Sequence, residues 1–506
     1  MLRPPWSSKS YAKPTSPSAC ARFDASSPIS VCKKKLYLLN PHLKDPPQLL
    51  AAQSTRQFQR QVRVDAQSLE RDVRQLLADK VSGNLLGLWL LLPEHLRLGS
   101  WDLLRNWTGE LGHHALAPRL ALHLVHEAAL CRPSLRYERS LRHKGFELAH
   151  GLSFLPADTA IHQLLDAHTC QQACQLQVRL GLLRRASGHF SGRVLALDPH
   201  RLLSHSQRDM VERRPTASKS AVKHVQNFFL LDAQTQQPIC LHHASSSLAI
   251  PQATALLLPV AQSILSAGPQ RPLLVADVEH YGTQMLDLIR RDGHFDLLVP
   301  IRYSQSQTAR YRDIPAKQFT PHWAGFATVV ESFIPPGSTL PQPCYRYIQR
   351  TGERAQDYHF KAFACTARRP EIAALTQDFP NRWHIEEFFR FDQSLGWDRA
   401  GTLNLNVRLG QMSLALLAQT VIHQLRRRLG APYQQWDSPH LARDFFTGLE
   451  GDLRVEGDTI VITYYNATAA ERWKHHFENL PAQLRRENVD PHIPWLYNFK
   501  LDFRFK

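Results

Sequence analysis

Three carboxylates in this chain stand where they could do chemistry together. Asp198 closes the apolar run RVLALD, Asp277 closes RPLLVAD, and Glu386 lies in the stretch FPNRWHIEEFFRFDQ at 379–393. Carboxylates at the carboxyl ends of apolar strands occupy the place where α/β folds build their sites. Two of them within a few ångströms repel, so one takes up a proton or the pair shares a cation. Their hard oxygens suit Mg²⁺, with Mn²⁺ as a substitute. A third carboxylate completes a two-ion site that activates water or a hydroxyl and stabilises the leaving oxygen of a phosphodiester. Each aspartate also has a plainer role. Asp198-Pro199 is a turn signal, and Asp277 is a natural cap for the next helix.

The elements that position these groups follow from the hydrophobic period. RVLALD (193–198), NFFLLDAQ (227–234) and PICLHHAS (238–245) read as consecutive strands. ATALLLPVAQSIL (253–265) reads as a helix, RPLLVAD (271–277) as a buried parallel strand, GTQMLDLIRRDG (282–293) as an amphipathic helix, and FDLLVPI (295–301) as another buried strand. Three strands, a helix, a strand, a helix and a strand is the order of a ribonuclease H-like α/β core. In such a core the strands of Asp198 and Asp277 are neighbours, although 277 − 198 = 79 residues separate them. FATVVESFI, CYRYIQR and DYHFKAFACTA then form a β-rich insertion over 302–370.

The glutamate stretch comes after the insertion. Pro380 suits a first helical turn, so a helix is expected to begin near Phe379. On it Arg382, Glu386, Arg390 and Gln393 are spaced 4, 4 and 3, one polar stripe. Ile385, Phe388 and Phe389 form the apolar stripe, and Glu387 lies about 100° further round. The stripe selects Glu386 as the third carboxylate and leaves Glu387 as a surface charge. An isolated amphipathic helix would show the same charges outward; the two aspartates upstream decide for chemistry.

The 506 residues imply two to four domains. Residues 1–55, rich in Ser, Pro and Lys, read as a disordered basic tail. Residues 56–190 carry helical periodicity and, being basic as well, read as a candidate DNA-binding domain, with plain helical packing as the alternative. The α/β core takes 191–301 and 371–430, and 431–506 is a small α+β segment with no assignable chemistry, a candidate dimer contact. A net charge of +17 favours a polyanionic partner. No apolar run reaches the ~18 residues of a membrane span. Eight cysteines are too few for a disulfide scaffold, which fits a reducing cytoplasm. His162, His168, Cys170 and Cys174 have a metal-like spacing, but small buried residues on a helix is the better reading.

At this point the residues resemble a family, the DDE transposases of bacterial insertion sequences. One group of them carries Tyr, two residues, Arg, three residues, Glu, six residues, Lys. Phe379, Arg382, Glu386 and Gln393 repeat that spacing. VADVEHYGTQMLDLIRRDGHFDLLVPIR is similar to the group's second-aspartate region, and the gap of 386 − 277 = 109 residues fits its β-rich insertion. The resemblance implies a DNA transposase in which Asp198, Asp277 and Glu386 hold two Mg²⁺ ions, cutting at element ends and joining them to target DNA. It implies that Arg382, Arg390 and the positions of Phe379 and Gln393 meet DNA. It also implies double-stranded terminal repeats as partners, a homodimer in the synaptic complex, and a cytoplasmic, nucleoid-associated location in a bacterium. Phe379 lacks the signature hydroxyl, Gln393 lacks the signature cation, and His200 stands where the family often has a small polar residue. The alternatives are a non-catalytic DNA-binding protein derived from such an enzyme, and a metal nuclease of the same fold.

Overall fold

Continuous apolar runs become the centre of a mixed α/β molecule with two sheets. The computed structural model describes residues 66–83, 85–111, 115–132, 144–213, 220–265, 268, 270–399 and 401–506. The basic tail expected over 1–55 lies outside the described residues. Strands β2 (Val194–Leu203), β4 (Val222–Asp232) and β5 (Gln237–Ser245) are antiparallel. Strands β6 (Leu273–Ala276) and β7 (Asp296–Pro300) then join β2 in parallel. The crossovers are helices α7 (Ile250–Ile264) and α8 (Thr283–Asp292). The β6 and β7 residues Leu273–Ala276 and Leu297–Val299 are all fully buried, as parallel strands covered on both faces require.

The residues expected as a β-rich insertion extend this sheet. Strands β8 (Thr320–Trp323), β9 (Phe326–Phe333), β10 (Cys344–Thr351) and β11 (His359–Cys365) come next, and β11 pairs antiparallel with β7. The large sheet therefore runs β3-β4-β2-β6-β7-β11-β10-β9-β8, with the short β3 (Glu212–Arg213) at one edge and β5 also paired to β4.

The helical N-terminal part and the C-terminal segment share a second sheet. β1 (Val81–Gly83) pairs with β12 (Gly451–Glu456), which is joined by β13 (Thr459–Tyr464) and β14 (Lys500–Phe505). Helix α1 (Ala66–Ala78) packs on β12, while α2 (Leu92–Leu98), α4 (Ala117–Ala129), α5 (Asp158–Asp166) and α6 (Cys170–Ala186) pack on the long helix α10 (Leu405–Leu429), and α3 (Ser100–Thr108) packs on α4 and α6. Buried donors tie the two ends of the chain together. Trp495 Nε1 donates to the Ala149 carbonyl at 2.9 Å, and Tyr464 OH donates to the Leu86 carbonyl at 2.9 Å. Gly87 is required here, because a Cβ would stand 1.8 Å from the Phe445 carbonyl oxygen.

This region also buries a chain of imidazoles. His126 Nδ1 lies 2.8 Å from His150 Nε2, and His126 Nε2 lies 2.9 Å from His95 Nε2. All three residues are fully buried. Three neutral rings can form such a chain, two of them each donating one N–H along it and the last only accepting. Burial pushes His95 down to about 3 and holds His126 and His150 well below the usual range, the neighbouring imidazoles adding to the effect. The group at 162–174 forms no such cluster: His168 bonds the Leu164 carbonyl at 2.7 Å and stacks on Trp107, and Cys170 Sγ donates to Asn406. The six cysteines among the described residues form no disulfide. No helix among the described residues is long and apolar enough to cross a membrane.

Candidate functional site

Register decides which carboxylates meet. In the parallel pair, Leu197 stands opposite Ala276, so Asp198 and Asp277 are the next residues on adjacent strands. The strand of Asp198 does not end there, as the sequence led us to expect. β2 continues through Pro199 to Leu203 because β4 pairs with it throughout, up to His224 opposite Leu203. Proline is tolerated in it because the parallel neighbour β6 has already stopped at Ala276, so no ladder on that side needs the missing N–H. What ends at Asp198 is the parallel ladder, which leaves both aspartates at its carboxyl end.

Asp277 serves as a cap: its Oδ1 accepts the Val278 N–H at 2.6 Å and opens a short 3-10 turn, Val278–His280. Asp198 is half-buried. Burial raises its carboxyl to about 7; the carboxylates of Glu279 and Asp277 push it the same way, and Arg382 and Arg201 oppose them. Glu279 was not singled out from the sequence. Its carboxylate accepts from Arg201 Nη2 at 2.5 Å, an ion pair linking the 3-10 turn to β2 just past Asp198. An acidic residue two positions beyond a strand-ending aspartate was the available signal. His280, fully buried, was also missed; burial lowers it to about 4, with Asp277 opposing.

The glutamate stretch is not one regular helix. Phe379–Trp383 is a 3-10 turn, and α9 proper is His384–Asp392. Arg382 and Glu386 still face each other, with Nη2 to Oε1 at 3.3 Å. Arg382 is buried and lies over the Trp383 ring at 4.8 Å, while Glu386 and Glu387 are exposed. Glu387 instead accepts from Gln236 Nε2 at 3.2 Å. Phe379 packs edge-on against Phe363, Arg390 is exposed, and Gln393 is half-buried.

Two contacts seat α9. His200 stacks on Phe389 with ring centroids 4.5 Å apart, which gives the departure at position 200 a physical role: its ring fixes the helix to β2. At the other end, Asp392 accepts from Arg426 at 3.1 Å, Ser438 at 2.7 Å and Gln419 at 3.1 Å, all buried. This ties α9 to α10.

The structure thus places Asp198 and Asp277 side by side, while Glu386 is paired with Arg382, whose charge is felt at Asp198. Among the described residues, no three His, Cys, Asp or Glu side chains converge tightly enough to hold a metal ion. The donor chemistry nevertheless suits a hard divalent cation. The oxygens of Asp198 and Asp277 lie at one strand end, where burial first and the carboxylates of Glu279 and Asp277 after it raise the Asp198 carboxyl.

No family model and no curated protein matches the chain. Among solved structures, the piggyBac transposase synaptic complex with hairpin DNA is similar at a TM-score of 0.33 and 9% identity, over 71% of this chain and 79% of that chain. That likeness is distant and does not establish a shared fold.

Proposed function

We propose that the protein is a DNA transposase with a ribonuclease H-like core, cutting at element ends and transferring the cut strand into target DNA. One observation carries the reading: two aspartates stand side by side where a parallel ladder ends, and the helix bearing Glu386 is packed on the same strand by Phe389 and His200. The strand order, three antiparallel strands and then two parallel ones with helical crossovers, supports that core. The spacing of Phe379, Arg382, Glu386 and Gln393 supports the family.

In this reading Asp198, Asp277 and Glu386 would hold Mg²⁺, which supplies Lewis acidity and an activated water at the scissile phosphate. The chain's own residues do the rest. Asp198, its carboxyl raised chiefly by burial, would give up its proton when positive charge arrives beside it. Arg382 neutralises Glu386 until substrate enters and is then placed to hold a phosphate by charge-assisted hydrogen bonds. Asp392 and His200 keep α9 in register with β2. No covalent enzyme–DNA intermediate is called for. Duplex DNA is the partner, and two copies of the chain would bring two ends together.

The assignment within the glutamate pair is the test. Glu386→Gln should bind terminal DNA without cutting it, and Glu387→Gln should keep at least partial cleavage. The reverse result overturns the assignment.

A further inference from the structure

We infer that a second phosphate-binding site lies at the opposite end of the large sheet, in a cleft that takes the phosphodiester backbone of a nucleic-acid strand. The topology gathers arginines there. Arg193 immediately precedes β2, Arg271 lies two residues before β6, and Arg369 lies just beyond β11, which runs antiparallel and so ends at the same side. Arg185, in the last turn of α6, adds a fourth. All four line one cleft of about 680 Å³, whose wall also holds Phe190 and a single carboxylate, Asp378.

The four cations are not equally engaged. Arg369 is paired with the buried Asp296 at 2.8 Å, and Arg185 donates to the Ile264 carbonyl at 2.7 Å. Arg193 and Arg271 are exposed, and among the described residues their side chains make no hydrogen bond or ion pair. With Arg369 matched by Asp296, three guanidiniums face the one lining carboxylate, Asp378, so the cleft is still complementary to an anion, and guanidiniums match phosphate oxygens in pairs. From Val194 to Asp198 is four residue steps, so the cleft is ~13 Å from the carboxylates along the strand at ~3.3 Å per residue. The cleft is therefore separate from the carboxylate site and independent of its chemistry. With a net charge of +17 on the chain, the phosphate source favoured is a nucleic-acid strand rather than a free nucleotide.

The experiment uses the full chain without divalent metal, so its outcome is separate from cleavage. Fluorescence anisotropy of a labelled duplex is measured from 50 to 200 mM KCl for wild type, the double variant Arg193→Ala/Arg271→Ala and the charge-keeping Arg193→Lys/Arg271→Lys. Loss of two phosphate contacts should flatten the slope of log K against log salt by about 1.8 in the alanine variant, and the lysine variant should keep the wild-type slope. A parallel titration uses AMP. An alanine variant with an unchanged slope overturns the proposal. So does AMP binding that the alanine change abolishes while duplex binding stays intact, since the cleft then serves a mononucleotide.

Discussion

The imidazole chain makes the fold sensitive to acid, and the size of the effect is set by its burial. His95, His126 and His150 are all held below the ordinary imidazole value in the folded chain. The unfolded chain therefore binds more protons as pH falls below ~6.5, so this contribution to stability is present above that pH and lost beneath it. Between pH 7.5 and 5.5 each ring contributes on the order of 1 kcal/mol of loss, and the three together roughly 3–4 kcal/mol, against a typical total of ~5–15 kcal/mol. His123 and Phe146 pack against His150, and Glu127 lies 4.0 Å from His123. Glu94, next to His95, is engaged with Arg97 and Arg428. Urea unfolding read by tryptophan fluorescence suits the question, because Trp495 lies 6.5 Å from His95 and 5.7 Å from Trp101. His126→Leu removes one titrating ring. It should be less stable at pH 7.5, since two ring nitrogens lose their partner, yet lose on the order of 1 kcal/mol less than wild type on going to pH 5.5. Equal losses in the two proteins, or a wild type whose stability does not change between these pH values, would refute the reasoning.

Three further outcomes are expected. Asp392→Ala leaves Arg426 buried without its counter-ion and should destabilise the chain by about 3–5 kcal/mol in the same urea titration. Gly87→Ala places a methyl against the Phe445 carbonyl and should lower the melting temperature, with a cost of at least ~1–3 kcal/mol for overpacking. His200→Ala removes the ring stacked on Phe389 and should slow cleavage while DNA affinity stays near wild type; the lost contact is worth about 0.5–1.5 kcal/mol, and a large loss of affinity instead would show that His200 does not act through α9.

Much of the core was legible because buried parallel strands are written as unbroken apolar runs. LLVA and DLLVP each became the strand their pattern indicated, and the adjacency of Asp198 and Asp277 comes from that order. The end of β2 was misread for a local reason: Asp-Pro is a turn signal, but pairing with β4 overrides it for another five residues. The 3-10 turn before His384 was hidden because i,i+4 spacing keeps Arg382 and Glu386 in contact either way. The partnership of β1 with β12 joins residues hundreds of positions apart, and nothing in the three residues Val81–Gly83 announces it. The imidazole chain gathers one histidine each from three separate segments, so no spacing in the sequence could reveal it. Glu279 escaped notice because its importance lies in proximity to Asp198, a relation across strands rather than along the chain.

Metal-dependent phosphodiester chemistry at Asp198 and Asp277 is the central claim. Its most direct test incubates the purified full chain, and its Asp277→Asn variant, with a plasmid carrying the DNA that flanks its own coding region, in Mg²⁺ or Mn²⁺. Wild type is expected to cut at the boundaries and yield joined products, while Asp277→Asn binds the same DNA and does neither. A wild type that binds those ends yet leaves them intact in both metals, or an Asp277→Asn variant that cuts as well as wild type, would contradict it.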